Sequence, residues 1–148
     1  MPMNRILFAL LASVFLICCG CKDGKRLDGH YPASGTVTLN GEPLNQGSIA
    51  FVPDAGSGGM GRSTSLKPGG TYIFKDLQAL MPGEYTVQIE SVRKYNLKTK
   101  ADATPEMDDT EIGFESLVPP KYNKKSELKA VVTKEGANKF DFDLDRPK

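Results

Sequence analysis

The chain has 148 residues, with 19 Lys and Arg against 18 Asp and Glu, a single histidine, three cysteines and no tryptophan. A charge balance this close to zero argues against non-specific nucleic-acid binding and against a polybasic membrane patch. The lone histidine, His30, excludes a two-histidine metal site, and it lies in a polar segment where it is no base for a catalytic triad.

Met1–Asn4 and Arg5 make a short, weakly positive start, and Ile6–Ile17 is an unbroken run of apolar and small residues that ends at Cys18-Cys19-Gly20-Cys21. Twelve such residues rise about 18 Å as a helix, well short of a hydrocarbon core of about 30 Å. The pattern predicts an export signal of the bacterial lipoprotein kind over residues 1–20. Cys21, preceded by the small Gly20, is the expected lipid acceptor; Cys19, with Leu16 and Ile17 upstream, is the alternative. Cleavage before Cys21 removes Arg5, leaving 18 basic against 18 acidic residues and no second cysteine. A disulfide framework is then excluded, and the exported domain must be stable through its core alone.

Residues 21–32 are polar and charged, which predicts a flexible tether. From Ser34 the pattern alternates: Val37 and Leu39 share one face of a strand, Thr36 and Thr38 the other. Asn40-Gly41 is a hairpin signal, because both residues tolerate positive φ. A second strand is expected from Gly47 to Val52 with Ile49 and Phe51 inward, then a glycine-rich connection over Pro53–Gly61 and a polar edge strand over Arg62–Leu66. Gly56–Gly61 is no phosphate loop, since neither a Lys-Ser/Thr pair nor a helix start follows it.

Lys67-Pro68-Gly69-Gly70 turns into Thr71–Lys75, with Tyr72 and Phe74 inward. The clearest alternation is Glu84–Val92, where Tyr85, Val87 and Ile89 interleave with Thr86, Gln88 and Glu90. Leu128–Thr133 and Lys139–Leu144 complete the set. Six or seven short strands with turn signals between them, over residues 33–145, predict one all-β domain built as a single β-sandwich.

Residues 93–123 break the rhythm. The stretch is mixed in charge and interrupted by Pro105, Pro119 and Pro120, so it reads as a long irregular loop pinned by Phe114, Leu117 and Tyr122, with a short helical turn near Glu106–Glu111. Its acidic residues (Asp102, Glu106, Asp108, Asp109, Glu111) lack the spacing of a calcium loop. Asp141, Asp143 and Asp145 fall on one strand face, but alternate side chains stand nearly 7 Å apart, too far for all three to hold one ion. They read as a charged solvent face that discourages edge pairing. No catalytic, cofactor or metal residue is therefore assigned.

Ser34-Gly35-Thr36-Val37-Thr38-Leu39-Asn40-Gly41-Glu42-Pro43-Leu44 and Gly47-Ser48-Ile49-Ala50-Phe51 resemble the opening of carboxypeptidase regulatory-like domains. Met81-Pro82-Gly83-Glu84-Tyr85-Thr86-Val87 is similar to a late strand of that family, and Val118–Tyr122 with Gly136–Leu144 to the closing half of small bacterial lipoproteins that carry it. The resemblance implies a single seven-stranded transthyretin-like sandwich, Ig-like in form, and an accessory or binding module with no reaction of its own. Lys67–Gly70 departs from the Asp-rich turn usual there. Some transthyretin-like proteins are hydrolases that use histidines and a terminal Tyr-Arg-Gly-Ser; Asp145-Arg146-Pro147-Lys148 does not match.

The expectation is an exported, lipid-anchored envelope protein, not an enzyme, whose sandwich binds another envelope component. The Arg93–Ser116 stretch is the first place to look for contacts, because loops on rigid scaffolds carry most recognition. The alternative is a glycan-binding module, for which Tyr31, Tyr95 and Tyr122 are the available stacking platforms.

Overall fold

A computed structural model describes residues 27–146. The signal segment, both candidate lipid acceptors Cys19 and Cys21, and the tether as far as Arg26 lie outside the described residues. The described chain is all-β, with eleven strands: β1 (Ala33–Leu39), β2 (Glu42–Pro43), β3 (Ser48–Pro53), β4 (Arg62–Ser65), β5 (Thr71–Phe74), β6 (Gly83–Glu90), β7 (Val92–Asn96), β8 (Ile112–Ser116), β9 (Lys129–Val132), β10 (Asn138–Lys139) and β11 (Phe142–Leu144). Short 3₁₀ turns at Asp76–Gln78, Asp109–Glu111 and Pro120–Tyr122 are the helical content among the described residues.

One sheet is built around β1. On one side it runs parallel to β10 and β11, with Ala33 opposite Asn138 and Val37 opposite Phe142. These two share one register, so they are a single strand interrupted at Phe140-Asp141. The interruption has a visible cause: the Thr36 N–H donates to the Asp141 carboxylate at 2.8 Å, a side chain standing where a backbone acceptor would be. On its other side β1 pairs antiparallel with β5 and β2. The second sheet is antiparallel in the order β4-β3-β6-β9.

The two sheets share one core, in a β-sandwich-like arrangement. Alternation decides what enters it: Tyr85, Val87 and Ile89 of β6, Ile49 and Phe51 of β3, and Tyr72 and Phe74 of β5 are all buried. The Phe51 ring meets Phe74 edge-on at 5.0 Å between centroids, with Tyr72, Tyr85 and Phe140 around it at 5.9–6.2 Å. Such tilted contacts suit the aromatic quadrupole and add to area burial.

Three expectations need correction. Asn40 and Gly41 do take positive φ (54° and 83°) and turn the chain, but the strand they pair with β1 is only β2; β3 crosses to the other sheet. The tether is tied down before its expected end, since Tyr31 and Leu80 exchange backbone hydrogen bonds of 2.7 and 2.9 Å and Tyr31 packs on the core. The stretch read as an irregular loop over 93–123 contains a hairpin, β7 paired with β8 from Val92↔Ser116 to Asn96↔Ile112. Its residues escaped the reading because they alternate without an inward apolar face, and Phe114, far from pinning the segment, is 66% exposed. With β2, the β7–β8 pair and the split of β10 from β11, the strand count exceeds seven.

The carboxylates of the last strands are also placed differently from a free solvent face. Asp141 accepts from the Thr36 hydroxyl at 2.8 Å, and Asp143 accepts from the Thr38 hydroxyl. The alternating threonines of β1 and aspartates beside it form rungs across a parallel pair, and the Thr36 hydrogen bond leads the effects that hold Asp141 below the usual carboxylate range.

Candidate interaction hairpin

β6 leads almost directly into β7, separated by Ser91 alone, which is buried. The hairpin therefore continues the line of β6 beyond the end of the sandwich, and none of residues 92–116 belongs to the core cluster. Backbone bonds Leu117 N–H to Ser91 C=O and Leu97 N–H to Glu111 C=O, both 2.9 Å, close its two ends.

Each face of the hairpin has its own chemistry. On one, Tyr95 lies across Gly113, where a Cβ would come within 2.5 Å of its ring, and Leu97 flanks the same glycine. Arg93 shares this face and bonds Glu115 at 2.9 Å; Glu115 also accepts from Arg146 at 3.0 Å, tying the hairpin to the chain beyond β11. The hydrogen bonds from Arg146 and then Arg93 hold the Glu115 carboxyl below its ordinary value. The other face carries Val92, Phe114 and Lys94, whose ammonium stands 5.7 Å from the Phe114 ring. Val92 is 51% exposed, so this face presents an apolar pair beside a positive charge.

The tip, residues 97–111, is ordered by its own polar groups. Buried Asn96 accepts from the Lys98 and Thr99 N–H groups at 2.8 and 2.9 Å. Lys98 pairs with Glu111 at 2.7 Å, the hydrogen bond raising one pKa and lowering the other. Asp108 caps the 3₁₀ turn by accepting from Thr110 N–H at 2.9 Å. Lys100 sits 4.8 Å over the Tyr95 ring.

Hairpin and tether lie at opposite ends of the sandwich. Tyr31 is bonded to Leu80, next to the start of β6 at Gly83, whereas the hairpin leaves β6 after Glu90. The intervening 8 residues of β6 span about 26 Å.

The tyrosines named as stacking platforms are dispersed. Tyr31 and Tyr122 pack on the core, and the Tyr122 hydroxyl accepts from the Asp145 N–H at 3.1 Å; Tyr95 faces Gly113 with Lys100 above it. A shallow groove of about 360 Å³ beside β4 and β5 is lined by Thr64, Lys67, Ile73, Lys75 and the Asp76–Gln78 turn. Among the described residues no three His, Cys, Asp or Glu side chains converge as a metal site would need, and no helix is long and apolar enough to cross a membrane. The sequence assigns Val92 to the end of the strand that starts at Glu84, whereas it opens β7, and it leaves Ile112 and Glu115 unmarked; five-residue alternation on either side of the tip was the available signal.

Comparison with protein-family models, with curated proteins and with solved structures found no match.

Proposed function

We propose that this chain is an exported, lipid-anchored envelope protein whose transthyretin-like sandwich, of the carboxypeptidase regulatory-like kind, is a non-catalytic platform for binding another envelope component. The observation that carries the reading is the placement of the hairpin. The lipid, on Cys21 or alternatively Cys19, would enter at the Tyr31 end, and the exposed Val92–Lys94–Phe114 face stands at the other. Anchor and contact surface are thereby separated by the length of the sandwich, with the membrane on one side and the partner on the other. The glycan alternative is less favoured, because two of its three tyrosines are engaged in packing.

Crosslinking in intact cells, followed by detergent extraction, tests the reading. One dominant partner joined through Lys94, Lys98 or Lys100 is expected, and the Cys21→Ser, Cys19→Ser double variant should leave the membrane fraction. Loss of that partner in a Phe114→Ser variant would place the contact on the exposed face. A wild type that is soluble without detergent overturns the anchor, and crosslinks confined to the opposite end of the sandwich overturn the assigned surface.

A further inference from the structure

The outer edge of β8 carries an inference of its own. The hairpin's terminal bonds, Leu117 to Ser91 and Leu97 to Glu111, fix the alternation of its ladder. In the register that joins Val92 to Ser116, the bonded pairs are Arg93–Glu115 and Tyr95–Gly113. Ile112, Phe114 and Ser116 accordingly turn their backbone groups away from β7. The Ile112 N–H is taken up by Asp109 C=O, while several outward groups of β7 are already bonded: Lys94 C=O by Ala103 N–H, Asn96 N–H and C=O by Ala101 and Lys100 of the tip, and Val92 C=O by the Gln46 side chain. Among the described residues β8 pairs with β7 alone. Its open edge thus offers the Ile112 C=O and both backbone groups of Phe114 and of Ser116.

That set is self-complementary except for the Ser116 C=O, which would stay on the solvent side because the Ile112 N–H opposite it already bonds Asp109. About a two-fold axis through Phe114, an antiparallel second β8 would place Phe114 opposite Phe114 and Ile112 opposite Ser116. Each Phe114 would donate to and accept from its mate, and each Ile112 C=O would accept from a Ser116 N–H. The one outward donor already used, Ile112 N–H, needs no partner there. Glu115 would face Gly113 of the other copy, so no like charges stand directly opposite, and the two Phe114 rings would form a cross-strand aromatic pair. Three other edges are blunted, β4 being Arg-Ser-Thr-Ser, β9 beginning with Lys129 and β11 having Asp143 at its centre; β5, Thr-Tyr-Ile-Phe, pairs with β1 alone and carries no such residue.

We infer that the β8 edge pairs with a second copy of this chain, joining two hairpins into one four-stranded sheet about a two-fold axis at Phe114. The pairing goes beyond the proposed partner binding and does not depend on the lipid anchor. An edge of five residues is small, so the association is weak in dilute solution and favoured where copies are held close together.

Single cysteine substitutions in the full chain test it. Across the two-fold axis the Cα atoms at position 114 would lie about 5.5 Å apart, within disulfide reach, whereas those at 116 would be about 14 Å apart. Mild oxidation in intact cells should join Phe114→Cys into a covalent dimer at least tenfold more than Ser116→Cys or the unmodified chain with its own three cysteines. Because Phe114→Cys removes the ring, sedimentation of the wild type in density-matched detergent is the companion measurement. It should show concentration-dependent dimers that Phe114→Lys abolishes. Equal crosslinking at 114 and 116, a wild type that stays monomeric throughout, or crosslinking of the Phe114→Cys variant to a different protein overturns the inference.

Discussion

The carbonyl oxygen of Phe140 fills the space where a side chain on Gly35 would begin: a Cβ there would stand 1.7 Å from it. This carbonyl lies at the interruption between β10 and β11, and it accepts from the buried Tyr72 hydroxyl at 2.7 Å. Gly35→Ala must push the interrupted strand away from β1 and break that bond, at a cost of about 3 kcal/mol. Tyr72→Phe removes the hydroxyl alone and should cost about 1 kcal/mol. Urea unfolding of the two variants gives the order; a Gly35→Ala protein as stable as the wild type would mean that the carbonyl does not sit over the glycine.

Tyr72 also predicts an alkaline limit. Burial, reinforced by the nearby Asp141 charge, raises its pKa above the ordinary phenol value. A raised pKa means that the folded protein holds the proton more tightly than the unfolded chain. Stability from this source is fully present below about pH 10 and falls as the pH rises further. Melting temperatures between pH 9 and 11.5 should drop more steeply for the wild type than for Tyr72→Phe; parallel curves would assign the loss to other groups.

Asn138 joins three segments from one buried side chain. Its carboxamide oxygen accepts from the Thr133 N–H at 2.9 Å, and its nitrogen donates to Thr133 C=O at 3.1 Å and to Pro32 C=O at 3.3 Å. Asn138→Ala leaves these backbone groups unpaired beside the core and should cost about 2 kcal/mol. Asn138→Asp keeps the acceptor but loses the donor, so it should be at least as damaging at neutral pH. Thermal unfolding of both variants decides; an Asp variant equal to wild type would show that the donated bonds contribute nothing.

In the second sheet, Asp54 links β3, β6 and β9. It accepts from the Thr86 hydroxyl at 2.6 Å and from Lys129 at 2.9 Å, and these bonds, that from Thr86 foremost, lower its pKa. A lowered carboxylate contributes stability above its unfolded value of about 4, and that contribution is lost as the pH falls through the folded value. Asp54→Asn should melt below the wild type at pH 7, and the gap should narrow as the pH is lowered below about 4. A gap that stays constant across the range would mean that the charge on Asp54 adds nothing.

Where apolar residues alternate against a core, the sequence was readable. Tyr85, Val87 and Ile89, or Tyr72 and Phe74, enter the interior as their period of two requires. Sheet membership was not, because Asn40-Gly41 specifies a turn and leaves open how long its partner strand is. The interruption at Phe140-Asp141 was hidden too, since it depends on a carboxylate reaching a backbone N–H 105 residues away in sequence. The hairpin was missed for the opposite reason: its large apolar residues, Val92 and Phe114, point to solvent, so no burial pattern betrays the strands.

The hairpin's inner register depends on Gly113. It stands directly across from Tyr95, and a Cβ there would come within 2.5 Å of the Tyr95 ring and 2.9 Å of Leu97. Glycine opposite an aromatic lets the ring cover the neighbouring backbone, a pairing that compensates for a weak strand former. Gly113→Ala should force Tyr95 and Leu97 outward and loosen β7–β8 by about 1 kcal/mol. Because the core cluster contains no residue of the hairpin, the sandwich should keep its melting temperature within about 2 °C. Amide hydrogen exchange separates the two effects: faster exchange at Tyr95 and Gly113, with Val87 and Ile89 unchanged, is the expected result. Uniformly faster exchange through β6 would show that hairpin and sandwich unfold together, and the separation between platform and contact surface would fail with it.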